Sequence, residues 1–265
     1  MRKLAVYCSL VLLLAPLLVL AQPRHDESRV FKVKTKVIPN DSVVRATMIG
    51  IRMGAMQPSG ILNDRFGYFK STGIRFAYKN KHNWMFGALG EYYFGKDIKE
   101  GDILGAILAT DGSIITNDGL LGEAKLYARS YFIGATVGKL IPLEKHYLNT
   151  GIAIWTSVGY WQHKVRINND DNIYSLSDAY KAGYDRLTSG IGLQQQVEYF
   201  YMSRKRLVNF SVGLDFNIGY LKGRRTVIFD TGKSGLDYRL DMMVGAHVSW
   251  FLPIFARNKN SVYSF

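Results

Sequence analysis

Four carboxylates and three arginines carry most of the chemistry this chain could do. Glu91, Glu198, Asp215 and Asp241, together with Arg52, Arg75 and Arg129, occupy polar positions inside otherwise apolar segments. Charges in such surroundings need partners, because an isolated ion loses its hydration on burial. They read as an internal network of ion pairs and hydrogen bonds, with a paired-carboxylate acid/base site as the chemical alternative. Asp241, His247 and Ser249 share one face of a single segment and invite comparison with a Ser/His/acid triad. Same-face neighbours on an extended strand lie about 7 Å apart, which puts Asp241 roughly 20 Å from His247. A triad works only within hydrogen-bond reach, so this segment cannot supply one alone. His163 sits between Gln162 and Lys164 with no acid beside it, and His25, His82 and His146 match no metal-binding spacing. The run Asn168-Asn169-Asp170-Asp171-Asn172 offers oxygen ligands but lacks the glycine and terminal glutamate of an EF-hand loop. Neither a metal nor a cofactor is implied.

The elements that must hold these charges show side chains alternating with a period of two. In 209–225, Phe210, Val212, Leu214, Phe216, Ile218 and Tyr220 oppose Asn209, Ser211, Gly213, Asp215, Asn217, Gly219 and Arg225, with Leu221 the exception. Such a pattern places the two sets on opposite faces of a strand. It recurs in 240–252, 187–201 and 84–94, and more weakly near 43–56, 69–79, 120–140 and 150–167. The prediction is an all-β, eight-stranded antiparallel barrel of up-and-down topology over 43–254.

Alternation alone fits a soluble sandwich as well as a membrane barrel. Three features favour the membrane. Charges recur along the polar face, where opposite signs can neutralise one another inside a barrel. Several apolar faces end in aromatics (Trp84, Tyr92, Phe94, Trp155, Trp161, Tyr199, Tyr201, Tyr220, Trp250), the composition of an interfacial girdle. The connections near 80–83, 141–149 and 202–205 are short, whereas those near 57–67, 95–118, 168–184 and 228–236 are longer, the usual asymmetry of periplasmic turns and extracellular loops. An even strand number then leaves both termini in the periplasm.

The chain ends agree with export. Arg2 and Lys3 precede an apolar run from Leu10 to Leu20, and Val19-Leu20-Ala21 fits a cleavage site before Gln22, so 1–21 reads as a signal peptide. That run is shorter than the roughly 20 residues a spanning helix needs. The one cysteine, Cys8, lies within it, so the mature chain has no disulfide, thiol nucleophile or thiolate metal site. Residues 22–42 form a basic periplasmic leader and 255–265 a periplasmic tail. The net charge of +13 concentrates on the periplasmic side, in the leader, in Arg204-Lys205-Arg206 and in the tail. It therefore points away from nucleic acid, and either to anionic lipid or an acidic envelope partner or simply to lysines that snorkel and terminate strands. Within the otherwise acidic 95–118 loop, Ile103, Leu104, Ile107 and Leu108 recur at helical spacing. Exposed aliphatics of this kind need cover. Either the loop folds over the barrel mouth as a lid, or it docks a partner, with Arg204, Lys205 and Arg206 forming a second docking surface.

The stretches Gln162-His163-Lys164-Val165-Arg166-Ile167 and Lys181-Ala182-Gly183-Tyr184-Asp185-Arg186-Leu187-Thr188-Ser189-Gly190 resemble a family of small outer-membrane barrels of Bacteroidota. So does the ending Trp250-Phe251-Leu252-Pro253-Ile254 with its basic tail and Tyr263. The resemblance covers most of the mature chain and implies an accessory, porin-like barrel integral to the outer membrane, in some members linked to type IX protein secretion. It carries no catalytic residues. The expected function is a non-enzymatic anchor or scaffold for an envelope complex, contacting outer-membrane lipids and protein partners. The alternatives are a lipid-modifying enzyme, for which no nucleophile–base pair is visible, and a narrow porin, disfavoured by the strand number because eight strands enclose an interior that side chains can fill.

Overall fold

The computed structural model describes residues 43–100, 103–108, 113–169, 173, 176–203 and 208–255. The expected signal segment, the basic leader, Arg204, Lys205, Arg206 and the tail lie outside them. Eight long strands follow one another: β1 (Ala46–Ser59), β2 (Phe69–Lys79), β3 (Trp84–Gly95), β6 (Lys125–Pro142), β7 (Gly151–Asn168), β8 (Thr188–Met202), β9 (Asn209–Gly223) and β10 (Tyr238–Phe255). All neighbours are antiparallel, and the ring closes because β1 pairs with both β2 and β10. Ala46 lies opposite Phe255, so the barrel begins and ends at the same rim. A two-stranded hairpin, β4 (Ile114–Ile115) with β5 (Leu121–Gly122), is inserted between β3 and β6 and was not legible in the sequence. Short helices α1 (Ile61–Arg65) and α2 (Asp178–Lys181) lie in two other connections of the same rim.

The strands are 11 to 18 residues long, against the roughly 9–11 that a tilted strand needs to cross a hydrocarbon layer. Their outward positions form a continuous apolar band, including Ile51, Ile74, Ile133, Val158, Ile191, Leu214 and Val248, all exposed. Tyr78, Trp84, Tyr199 and Trp250 border the band near the rim of short turns, and Tyr92, Tyr160, Tyr220 and Tyr238 border it near the other. Near strand ends, Lys139 covers the ring of Trp84 and Lys222 that of Tyr238. That is how amphipathic side chains behave at an apolar–aqueous boundary.

Trp155 and Trp161, expected in the girdles, instead point inward and are each 1% exposed. Each indole N–H finds an interior acceptor, Glu198 for Trp155 and Ser130 for Trp161. Glycine makes the room: a Cβ on Gly138 would meet the Trp155 ring at 2.4 Å, and one on Gly219 the Trp161 ring at 2.5 Å.

The interior is layered. Next to the short turns, Met48, Met85, Leu140, Trp155, Phe200 and Phe251 form an apolar plug, with the rings of Phe200 and Phe251 stacked at 4.4 Å. Charged and amide side chains fill the middle. Toward the other rim, Phe69, Leu89, Phe132, Trp161, Leu221 and Met243 form a second apolar layer.

The 95–118 connection completes that upper layer. Ile103 is 0% and Leu104 5% exposed, packed with Leu62 and Phe66 from α1 and the connection after it, and Ile107 and Leu108 pack against the same cluster. The docking surface expected from these four aliphatics is therefore corrected: they are the underside of a cover over the barrel mouth. The physical reason is that the upper interior is apolar and gives them nearer cover than a partner would. Ile103→Ser with Leu104→Ser should open this cover locally, since deleting such buried aliphatic groups costs about 2–5 kcal/mol each. Limited proteolysis should then cut within 96–124 while heat-modifiable gel mobility shows the strands still closed; unchanged protease resistance would count against the packing described.

Candidate functional site

The central layer draws its side chains from six strands. Arg52 on β1 donates from Nη2 to Asp215 (3.0 Å) and from Nη1 to Gln196 (2.9 Å), and its Nε lies 3.3 Å from Glu91. Arg75 on β2 donates to Glu198 (3.0 Å) and to Gln196, and stacks over the Trp155 ring at 4.3 Å. His247 on β10 stands between two acids, Nδ1 2.8 Å from Asp215 and Nε2 2.8 Å from Glu198. Glu91 on β3 accepts from Tyr93 (2.8 Å) and Gln194 (2.6 Å). All of these side chains are buried. Three carboxylates thus face two guanidiniums, and the His247 ring, with a carboxylate oxygen at each nitrogen, is placed to supply the third positive charge. Buried ions survive only with this degree of pairing. Close strand approach makes it possible: a Cβ on Gly213 would lie 2.5 Å from the Glu198 Cβ, and one on Gly73 2.5 Å from the Glu91 Cγ.

Of the seven residues expected in one network, Arg52, Arg75, Glu91, Glu198 and Asp215 come together here. Asp241 lies inside the barrel but higher, bound to His163 (2.7 Å) and Arg239 (2.8 Å). Arg129 does not belong to the interior at all. On β6 the inward positions are Ala128, Ser130 and Phe132, and the Arg129 guanidinium donates to backbone carbonyls of Ala128 and Gly95 and lies 5.1 Å from the outward Tyr127 ring. The sequence misassigned it because the inner face there is itself apolar, which removes the contrast between faces.

Nucleophilic chemistry finds no arrangement among the described residues. The acid partners of His247 come from β8 and β9, the Asp241 carboxylate is taken by His163 and Arg239, and the Ser249 hydroxyl makes no hydrogen bond.

Sequence reasoning missed a second charged assembly on the rim of long loops. Arg186, just before β8, donates to Glu100 (3.0 Å) and with two nitrogens to Asp230 (2.7 and 2.5 Å). Glu100 also takes Arg65 of α1 (3.0 Å), and Asp185 takes Arg225 through two bonds (2.8 and 2.5 Å). One guanidinium thereby ties the 96–124 loop to the 224–237 loop, and the Arg186 hydrogen bonds hold the Asp230 carboxyl below its usual range. The only sequence signal was the 181–190 stretch, whose Asp185 and Arg186 prove to be the clamps; their partners lie 40 or more residues away.

No protein-family model matches the chain, and no curated protein matches it. Among solved structures, the chain is similar to Ail, the attachment invasion locus protein of Yersinia pestis, in complex with the heparin analogue sucrose octasulfate, at 9% identity and a TM-score of 0.39, covering 78% of this chain and 97% of that one. Neisserial surface protein A matches at 13% identity and a TM-score of 0.38, covering 77% of this chain and 96% of that one.

Proposed function

We propose that this protein is a non-enzymatic barrel integral to the outer membrane, serving as an anchor or accessory component of an envelope complex. The observation that carries the reading is the pairing of an outward apolar band, bordered by aromatics, with an interior filled in three layers. An apolar surface of that extent needs hydrocarbon or protein cover, and an eight-stranded barrel whose middle is filled by side chains offers no channel through it. The protein-export machinery of the type IX class is the complex to test first, on the resemblance of 162–167 and 181–190 to Bacteroidota barrels. Arg204, Lys205 and Arg206 are the proposed periplasmic contact.

The test is recovery of partners after mild detergent extraction of outer membranes. We expect a stoichiometric envelope protein to co-purify, and charge reversal at Arg204, Lys205 and Arg206 to weaken its recovery in a salt-dependent way. Planar-bilayer recordings of the refolded barrel should show negligible conductance. Large stable conductance steps would establish a porin instead. Unchanged recovery in the charge-reversed variant, with normal export of secreted proteins, would remove the scaffold reading.

A further inference from the structure

A cavity of about 170 Å³ lies at the rim of long loops, between the clamped connections and the ends of β8, β9 and β10. It is well above the ~10–15 Å³ one water requires. Its wall includes four arginines, Arg65, Arg186, Arg225 and Arg239, with Thr188 and a single acid, Asp237. Three of these guanidinium groups are largely withdrawn from solvent, at 17% exposure for Arg65, 3% for Arg186 and 14% for Arg239.

These arginines are not fully used by the loop clamps. Arg239 gives Nε to Asp241, but its Nη2 is buried without a hydrogen-bond partner among the described residues. A buried donor in that condition is rare and calls for a ligand or an ordered solvent molecule. Arg65 is crowded by like charge: burial first, then the guanidiniums of Arg239 and Arg186, hold it below its usual value against the opposing pull of Glu100. An anion in the cavity would relieve that crowding. Arg186 enters the wall from a left-handed backbone conformation, φ 52, which a non-glycine residue rarely adopts and which clusters at ligand clamps.

We propose that this cavity binds the phosphoryl group of a small soluble phosphate monoester, held between the Arg65 and Arg239 guanidiniums. Several convergent planar forks suit a tetrahedral, doubly charged oxyanion, which offers acceptor oxygens in more directions than a carboxylate. The lining joins Thr188 of β8, Gly223 of β9 and Arg239 of β10 to residues of the connections beyond them, at the rim of long loops and away from the outward apolar band, so the ligand is a solute and not a lipid of the surrounding bilayer. The inference does not depend on the scaffold reading, because it concerns the folded barrel alone.

The experiment is calorimetric titration of the refolded full chain in zwitterionic detergent with methyl phosphate, inorganic phosphate, acetate and chloride at matched ionic strength. Saturable binding of methyl phosphate, with inorganic phosphate weaker and acetate and chloride without effect, is the expected result. Arg65→Gln, on a helix outside the barrel wall, should weaken methyl phosphate by about tenfold or more, as loss of a charge-assisted bond implies. Arg239→Gln should do the same; should it fail to refold, Arg65→Gln decides alone. Nanodiscs of phosphatidylcholine with and without phosphatidic acid separate the sources, and competition of methyl phosphate by phosphatidic acid would reassign the site to lipid headgroups. No saturable phosphate binding by the wild type, or equal binding by folded Arg65→Gln, overturns the proposal.

Discussion

Glu198→Ala is expected to destabilise the folded barrel by about 3–5 kcal/mol, the cost of removing one partner from a buried ionic group. Glu198 accepts from Arg75, Trp155 and Ser211 and faces the His247 ring, all within 3.1 Å. Its loss strands the Arg75 guanidinium in an interior that cannot hydrate it and leaves the Trp155 N–H unbonded. Glu198→Gln keeps part of the hydrogen bonding and should fall between the wild type and alanine. Glu144→Ala, at an exposed position in the short turn before β7, should stay within about 0.5 kcal/mol of wild type. Urea unfolding in lipid vesicles followed by tryptophan fluorescence measures all three. Equal midpoints for Glu198→Ala and Glu144→Ala would mean that the central network does not hold the barrel together.

Leu214→Arg should cost about 2–4 kcal/mol, the penalty for arginine at the middle of a hydrocarbon layer on the outer face of a barrel. Leu214 is 65% exposed, and its outward neighbours Val212 and Phe216 are apolar. The same substitution at Lys222, at the outer end of β9 where a cation already lies over Tyr238, should cost close to nothing, because the depth dependence falls toward zero at the interface. Unfolding in vesicles should reveal the contrast, and a water-soluble barrel would show none. Spin labels at 212, 214 and 216 read the same question directly: quenching by oxygen and not by an aqueous nickel complex is expected.

Strand number, strand parity and the alternation of short turns with long loops were legible in the sequence, because each depends on side chains at fixed spacing along one strand. In β9 the sequence already separated Phe210, Val212, Leu214 and Phe216 from Ser211, Asp215 and Asn217, and the fold places the first set outward and the second inward. Charge identity did the same for Arg52, Arg75, Glu91, Glu198 and Asp215, since ions on one face of an apolar strand have to meet somewhere. Which ion meets which was decided by the tertiary structure alone. His163 finds Asp241 across 78 residues and Arg75 finds Glu198 across 123, pairings set by how the strands tilt and stagger as the ring closes. Parity also failed wherever the two faces resembled each other. Trp155 and Trp161 could serve a girdle or a core equally well, and only the glycines opposite them made the core possible. Arg129 looked interior because the positions that share its face, Tyr127 and Tyr131, and the inward Ala128 and Phe132 are all largely apolar, so the two faces differ little there. The aliphatics of the 95–118 loop needed cover, as hydrophobicity requires; that the cover is the barrel's own mouth follows from the Arg65, Glu100, Arg186 and Asp230 clamp, which joins segments the sequence holds far apart.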